Sequence, residues 1–142
     1  GQVVRTSRGM VEYAVEGDGR PILVVHGTPG GYDQGVGIGR LLGPGVRAIA
    51  PSRPGYLRTP IAAGRSQEAQ AETLFALLDE LGVERVGVLG LSGGGPVAAA
   101  CARLRPERVD RLALWQPVLA PLPLDAESLA GRLVVANDAV EW

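Results

Sequence analysis

A chain of 142 residues, 46% of them hydrophobic, has the length for one domain with a real core and the composition of a globular class. Its formal net charge of −1 leaves no broad basic surface to gather phosphates, which argues against a nucleic-acid partner. No apolar stretch is long enough to cross a bilayer and the first residues lack the apolar core of a signal peptide, so no membrane segment and a cytoplasmic location are expected.

Residues 3–6 and 11–15 are short β-rich runs separated by Ser7-Arg8-Gly9, the pattern of an antiparallel hairpin. After a second turn at Glu16-Gly17-Asp18-Gly19, the apolar run 21–25 reads as a buried strand and leads into the loop His26-Gly27-Thr28-Pro29-Gly30-Gly31. Between Tyr32 and Leu42 the glycines at 31, 35, 37 and 39 make a poor helix by propensity, so a short or irregular one is predicted. Residues 46–50 form the next strand, followed by Pro51-Ser52-Arg53-Pro54-Gly55-Tyr56.

Ser66 is a good N-cap, and Glu68 and Glu72 put negative charge near the positive end of a helix. Leu74, Leu77, Leu78 and Leu81 then repeat at helical spacing until Gly82 ends the run. A strand from Val86, a small-residue helix from about Gly95 to Arg105 and a strand over 109–115 follow. Alternating strands and helices predict an α/β fold, a mostly parallel sheet with helices on both faces. Beyond Trp115 the prolines at 117, 121 and 123 interrupt any ladder, and an amphipathic helix is expected after Asp125, with Leu129, Leu133 and Val140 roughly in phase.

Residues 90–94, Gly-Leu-Ser-Gly-Gly, sit between the strand at 86–89 and the helix after Gly95. Strand, G-x-S-x-G, helix is the sequence form of a nucleophile elbow, in which glycines permit a sharp turn with Ser92 at its apex. With 21 glycines in the chain the pentapeptide alone is weak evidence, and its context carries the weight. His-Gly-Thr-Pro-Gly-Gly after one strand, Ser-Arg-Pro-Gly-Tyr after the next and the elbow after a third occur in order, and together they resemble the α/β-hydrolase superfamily.

That resemblance implies an α/β-hydrolase core truncated after the sixth strand, with 1–116 as its amino-terminal part and 117–142 as a linker and the start of a cap region. It implies a serine hydrolase that cleaves an ester-like or other acyl bond of a small molecule through an acyl-enzyme on Ser92. The backbone N–H groups of Thr28 and Gly93 map to the oxyanion hole. In that fold the acid and the histidine follow the serine in the chain, so both are expected from a missing carboxyl-terminal half or a second chain. The rival from another class is a non-catalytic binding or assembly module that kept the fold.

A serine hydroxyl needs a general base, and the one histidine, His26, lies in the oxyanion loop, where bracing the loop is its expected work. Asp33, Gln116 and Asp125 do not complete a triad. His26, Tyr32, Tyr56 and Trp115 are candidate pocket residues, since ligands in such sheets bind at the carboxyl ends of strands. Arg53 could pair with a carboxylate, though a surface or loop-bracing arginine is the expected reading, and Ser52 departs from the aspartate often seen at its position. There is no His/Cys cluster and no dinucleotide fingerprint, so neither a metal nor a cofactor is expected. Cys101, alone among small residues, reads as a buried packing side chain. A sheet that stops at 109–115 leaves an open edge, so self-association or a homo-oligomer is expected of the isolated chain.

Overall fold

Turn chemistry starts the sheet: Thr6 Oγ1 accepts the Arg8 N–H and donates to Gly9 O, and Gly9 takes a φ of +122°. In the computed structural model, which describes residues 1–119, β1 (Gln2–Thr6) pairs antiparallel with β2 (Gly9–Glu16), Gln2 facing Tyr13 and Thr6 facing Gly9. β3 (Gly19–Val25), β4 (Gly45–Pro51), β5 (Val86–Leu91) and β6 (Val109–Trp115) run parallel to one another, and the strand order is β1-β2-β4-β3-β5-β6. The helix expected after Asp125 lies outside the described residues.

Alternation along β3 divides the core. Leu23 and Val25 point into a cluster with Leu74, Leu77 and Leu78 of α2 (Gln67–Glu80) and Val97 and Cys101 of α3 (Gly95–Leu104). Val24 faces the other way, with Ala48 and with Ile38 of α1 (Tyr32–Leu41). Helices therefore cover both faces. α2 begins as its sequence dictates, with Ser66 Oγ accepting the Ala69 N–H at 3.1 Å, and ends before Gly82 at φ +65°. Cys101 is fully buried, which pushes its thiol up to about 12.

α1 corrects the expectation of a short or irregular helix, for it is ten residues long. Propensity was outweighed by packing. A Cβ on Gly35 would lie 2.6 Å from Ala50 Cβ, and one on Gly39 2.5 Å from Ala48 Cβ, so these glycines let the helix axis settle directly onto β4. Gly35→Ala, a favourable change by helix propensity, is therefore expected to lower the stability of the intact protein by about 1–3 kcal/mol through overpacking. Urea unfolding checks this, and a stabilised variant contradicts the packing account.

β6 is the last strand of the sheet among the described residues, and it leaves Leu112, Leu114 and Trp115 exposed. An apolar trough of about 240 Å³ runs along its α1 side past Ile22, Leu42, Leu89 and Ala113. Among the described residues no helix is long and apolar enough to cross a membrane.

Candidate active site

Strand order creates a crevice. The chain leaves β3 for α1 on one face and β5 for α3 on the other, while β3 and β5 are hydrogen-bonded neighbours. Loops that part to opposite faces open a gap at the carboxyl ends of such strands, the usual ligand position in open α/β sheets. Into this gap fall His26–Gly31 from one side and Ser92–Gly94 from the other.

Ser92 follows Leu91 directly and has φ +46°, in the left-handed region that costs a non-glycine residue about 1–3 kcal/mol. Residues 92–94 make one 3₁₀ turn that passes straight into α3. The flanking glycines are sterically required: a Cβ on Gly90 would meet Ala98 Cβ at 2.5 Å, and one on Gly94 would run into the carbonyl oxygens of Val25 and His26. On the crevice side, a Cβ on Gly93 would lie 2.8 Å from Thr28 Oγ1 and 3.7 Å from Thr28 N, and one on Gly27 would lie 3.1 Å from Ser92 Cβ. The structure thus brings Thr28, Ser92 and Gly93 together. Downstream, the Val118 N–H donates to Ser92 O at 3.0 Å, and Pro117 packs on Gly95.

His26 holds the loops rather than facing the crevice. It is fully buried; its Nε2 accepts the Arg53 N–H at 2.9 Å, so Nδ1 carries the proton and donates to Gly27 O at 2.7 Å. Both nitrogens are occupied, and burial lowers the ring pKa to about 4. The candidate pocket role for His26 is therefore corrected, because a residue with no exposed surface and no free nitrogen cannot line a pocket.

Arg53 joins the same clamp. Its Nη2 donates to Gly27 O, Thr28 Oγ1 and Tyr56 Oη at 3.2, 3.0 and 3.2 Å, and its guanidinium lies 4.7 Å from the Tyr56 ring centroid. The side chain is 5% exposed, Nε has no hydrogen-bond partner, and no carboxylate pairs with it among the described residues. Burial accordingly pulls the pKa of this arginine down. Loss of the clamp would free Thr28, since Tyr56 Oη also bonds Thr28 Oγ1 at 2.7 Å.

Behind the clamp lies Glu12, a carboxylate 3% exposed in the middle of β2. Arg58 Nε donates to it at 2.6 Å, as do Arg58 N and Ser52 Oγ, each at 3.1 Å. Burial raises its pKa, but these donors outweigh burial and the net shift is downward. Ser52 Oγ in turn accepts the Tyr32 N–H, so Tyr32 serves here through its backbone at the start of α1. A charged residue inside an apolar strand was the signal that could have found Glu12.

An open cleft of about 180 Å³ contains Ser92 and Thr28 along with Gln34, Leu91, Trp115 and Gln116. Trp115 thus lies where a pocket residue was expected; Tyr56 reaches the cleft only through Thr28, and Tyr32 is not among its walls. Gln34 was not singled out from the sequence. A larger hollow, about 650 Å³, is lined by Asp79, Val83, Arg85 and Arg108 at the opposite, amino-terminal end of β5, where sheet geometry gives no converging loops. No group of three or more His, Cys, Asp or Glu side chains suited to a metal occurs among the described residues.

Comparison with known proteins fits this geometry. A family profile described as alpha/beta hydrolase fold matches residues 20–138. The chain is 37% identical over 136 residues to an uncharacterized hydrolase, YcgS, of Bacillus subtilis (strain 168), covering 94% of this chain and 48% of that one. It is 35% identical over 115 residues to a 2-hydroxymuconate semialdehyde hydrolase of Pseudomonas putida, covering 78% and 41%. Among solved structures, an alpha/beta hydrolase fold protein from Nakamurella multipartita superposes with a TM-score of 0.80 at 40% identity, covering 98% of this chain and 52% of that one. The chain spans about half the length of the curated relatives it matches.

Proposed function

The chain belongs to the alpha/beta hydrolase fold family, and from that premise we propose that the protein containing it is a serine hydrolase acting on an ester-like or other acyl bond of a small molecule. The observation that carries this reading is Ser92 at φ +46° at the switch point of the sheet, beside the backbone of Thr28 and Gly93. A strained non-glycine residue in a cleft is how a nucleophile elbow is built. The relatives' names, both hydrolases, support the reaction class.

In the reaction, Ser92 Oγ attacks the acyl carbonyl as its proton passes to a base, and the carbonyl oxygen takes up negative charge between the N–H groups of Thr28 and Gly93. Each such donor is worth about 3–4 kcal/mol in the transition state. Collapse expels the leaving group with the proton returned by the base, and water then repeats the sequence on the acyl-enzyme. His26 cannot be that base, because its Nδ1 and Nε2 are bonded to Gly27 and Arg53. The sequence holds no other histidine, so the imidazole comes from outside these 142 residues. Hydrolysis of p-nitrophenyl esters by the intact protein, with and without Ser92→Ala, is the test; equal rates defeat the proposal and favour a non-catalytic binding module.

A further inference from the structure

Gln34 stands in the first turn of α1, and its side chain folds back so that Oε1 accepts the Gly27 N–H at 2.6 Å. Gly27 can only donate there, which fixes the amide's orientation: turned over, it would set donor against donor. The oxygen is thereby committed, while the two Nε2 hydrogens have no partner among the described residues. The same side chain is a wall of the Ser92 cleft. A Cβ built on Gly27 would lie 3.1 Å from Ser92 Cβ and 3.5 Å from Gln34 Oε1, so the oxygen end of the amide and the serine side chain flank the same small space beside Gly27.

We propose that Gln34 Nε2 is a substrate-binding donor that selects acyl groups with an acceptor oxygen, such as an ether or keto oxygen, close to the scissile carbonyl. This rests on the serine hydrolase reading and deepens it. A planar amide tethered by its oxygen is a pre-oriented donor, and an acyl group offering only methylenes there would leave the N–H groups facing hydrocarbon, without the water they now meet. Gln34 is exposed in the open cleft, and discrimination of this kind exceeds that of a hydrophobic wall because a donor that the bound acyl group shuts off from water and leaves unpaired is penalised.

The experiment compares p-nitrophenyl methoxyacetate with p-nitrophenyl butyrate on the intact protein. The two acyl chains have the same length, and an ether oxygen replaces one methylene. Gln34→Glu keeps an oxygen for the Gly27 N–H and removes the donor; Gln34→Met removes both. A new negative charge slows both esters, so the readout is the ratio of their kcat/KM values relative to wild type. That ratio is expected to fall about tenfold in Gln34→Glu, the size of one hydrogen bond. An unchanged ratio in Gln34→Glu overturns the proposal, whatever Gln34→Met does. If the wild type cleaves neither ester, or Ser92→Ala cleaves both at the wild-type rate, the hydrolase reading itself has failed and takes this inference with it.

Discussion

Ser92→Ala in the intact protein is expected to reduce turnover of an activated ester by on the order of 10⁶-fold, leaving only the slow background of a bound substrate meeting water. The size follows from what the substitution removes. On the proposed mechanism covalent catalysis disappears entirely, while Thr28 and Gly93 remain in place, because their positions depend on Gly90, Gly94 and the loop clamp and not on the hydroxyl. The variant should therefore fold normally. Stability measured by urea unfolding should change little, since alanine at φ +46° is strained as serine is and the Ser92 hydroxyl makes no hydrogen bond among the described residues. Steady-state turnover and a folded-state assay together make the check: activity lost with the fold intact supports the assignment, and activity retained removes Ser92 from the mechanism.

The second large effect is acid sensitivity centred on His26. Its pKa is about 4 in the folded protein against 6.5 for the free side chain, because burial disfavours the imidazolium. The sign follows from which state binds the proton. Above pH 6.5 the ring is neutral in both states and the full stability is present. As pH falls from 6.5 toward 4 the unfolded chain takes up the proton first, so stability is lost progressively, by about 3 kcal/mol in total. Once the folded ring also titrates, near pH 4, this group contributes no further loss. Glu12 acts in a lower window: its folded pKa lies below 4.5, so its contribution is present above that value and lost beneath it. Of these two buried groups, His26 supplies most of the slope between pH 6.5 and 4.5. Urea midpoints across that range should fall more steeply for the wild type than for His26→Gln, which starts less stable. A wild-type midpoint independent of pH from 6.5 to 4.5 contradicts the assignment. Protonated Nε2 would also face the Arg53 N–H donor to donor, so the two loops of the clamp should part together.

Local chemistry was legible in the sequence wherever short-range signals decide it. Ser66, the leucines at 74, 77 and 78, and Gly82 fix α2 because cap, stripe and terminator act within a few residues of each other. The pentapeptide around Ser92 was legible for the same reason, since strand, glycines and helix adjoin. α1 was misjudged because its glycines answer to Ala48 and Ala50 of β4, a contact propensity does not contain. Gln34 was invisible, for nothing in seven residues of loop says that a helical side chain turns back to Gly27. The link from Glu12 to Arg58 spans 46 residues and exists only because β2 lies beside β4. Strand order itself, and with it the crevice, is a non-local property that no run of residues encodes.

Cys101 gives the molecule a built-in reporter. As the sole sulfhydryl in the sequence, shut beneath α3 and held in its protonated form, it is inert to maleimides as long as that helix keeps its seat. The rate at which a maleimide caps it therefore counts the excursions that lift α3 off β5, the two elements that meet at residue 92. Opening of the scaffold beneath residue 92 can thus be timed at this one thiol.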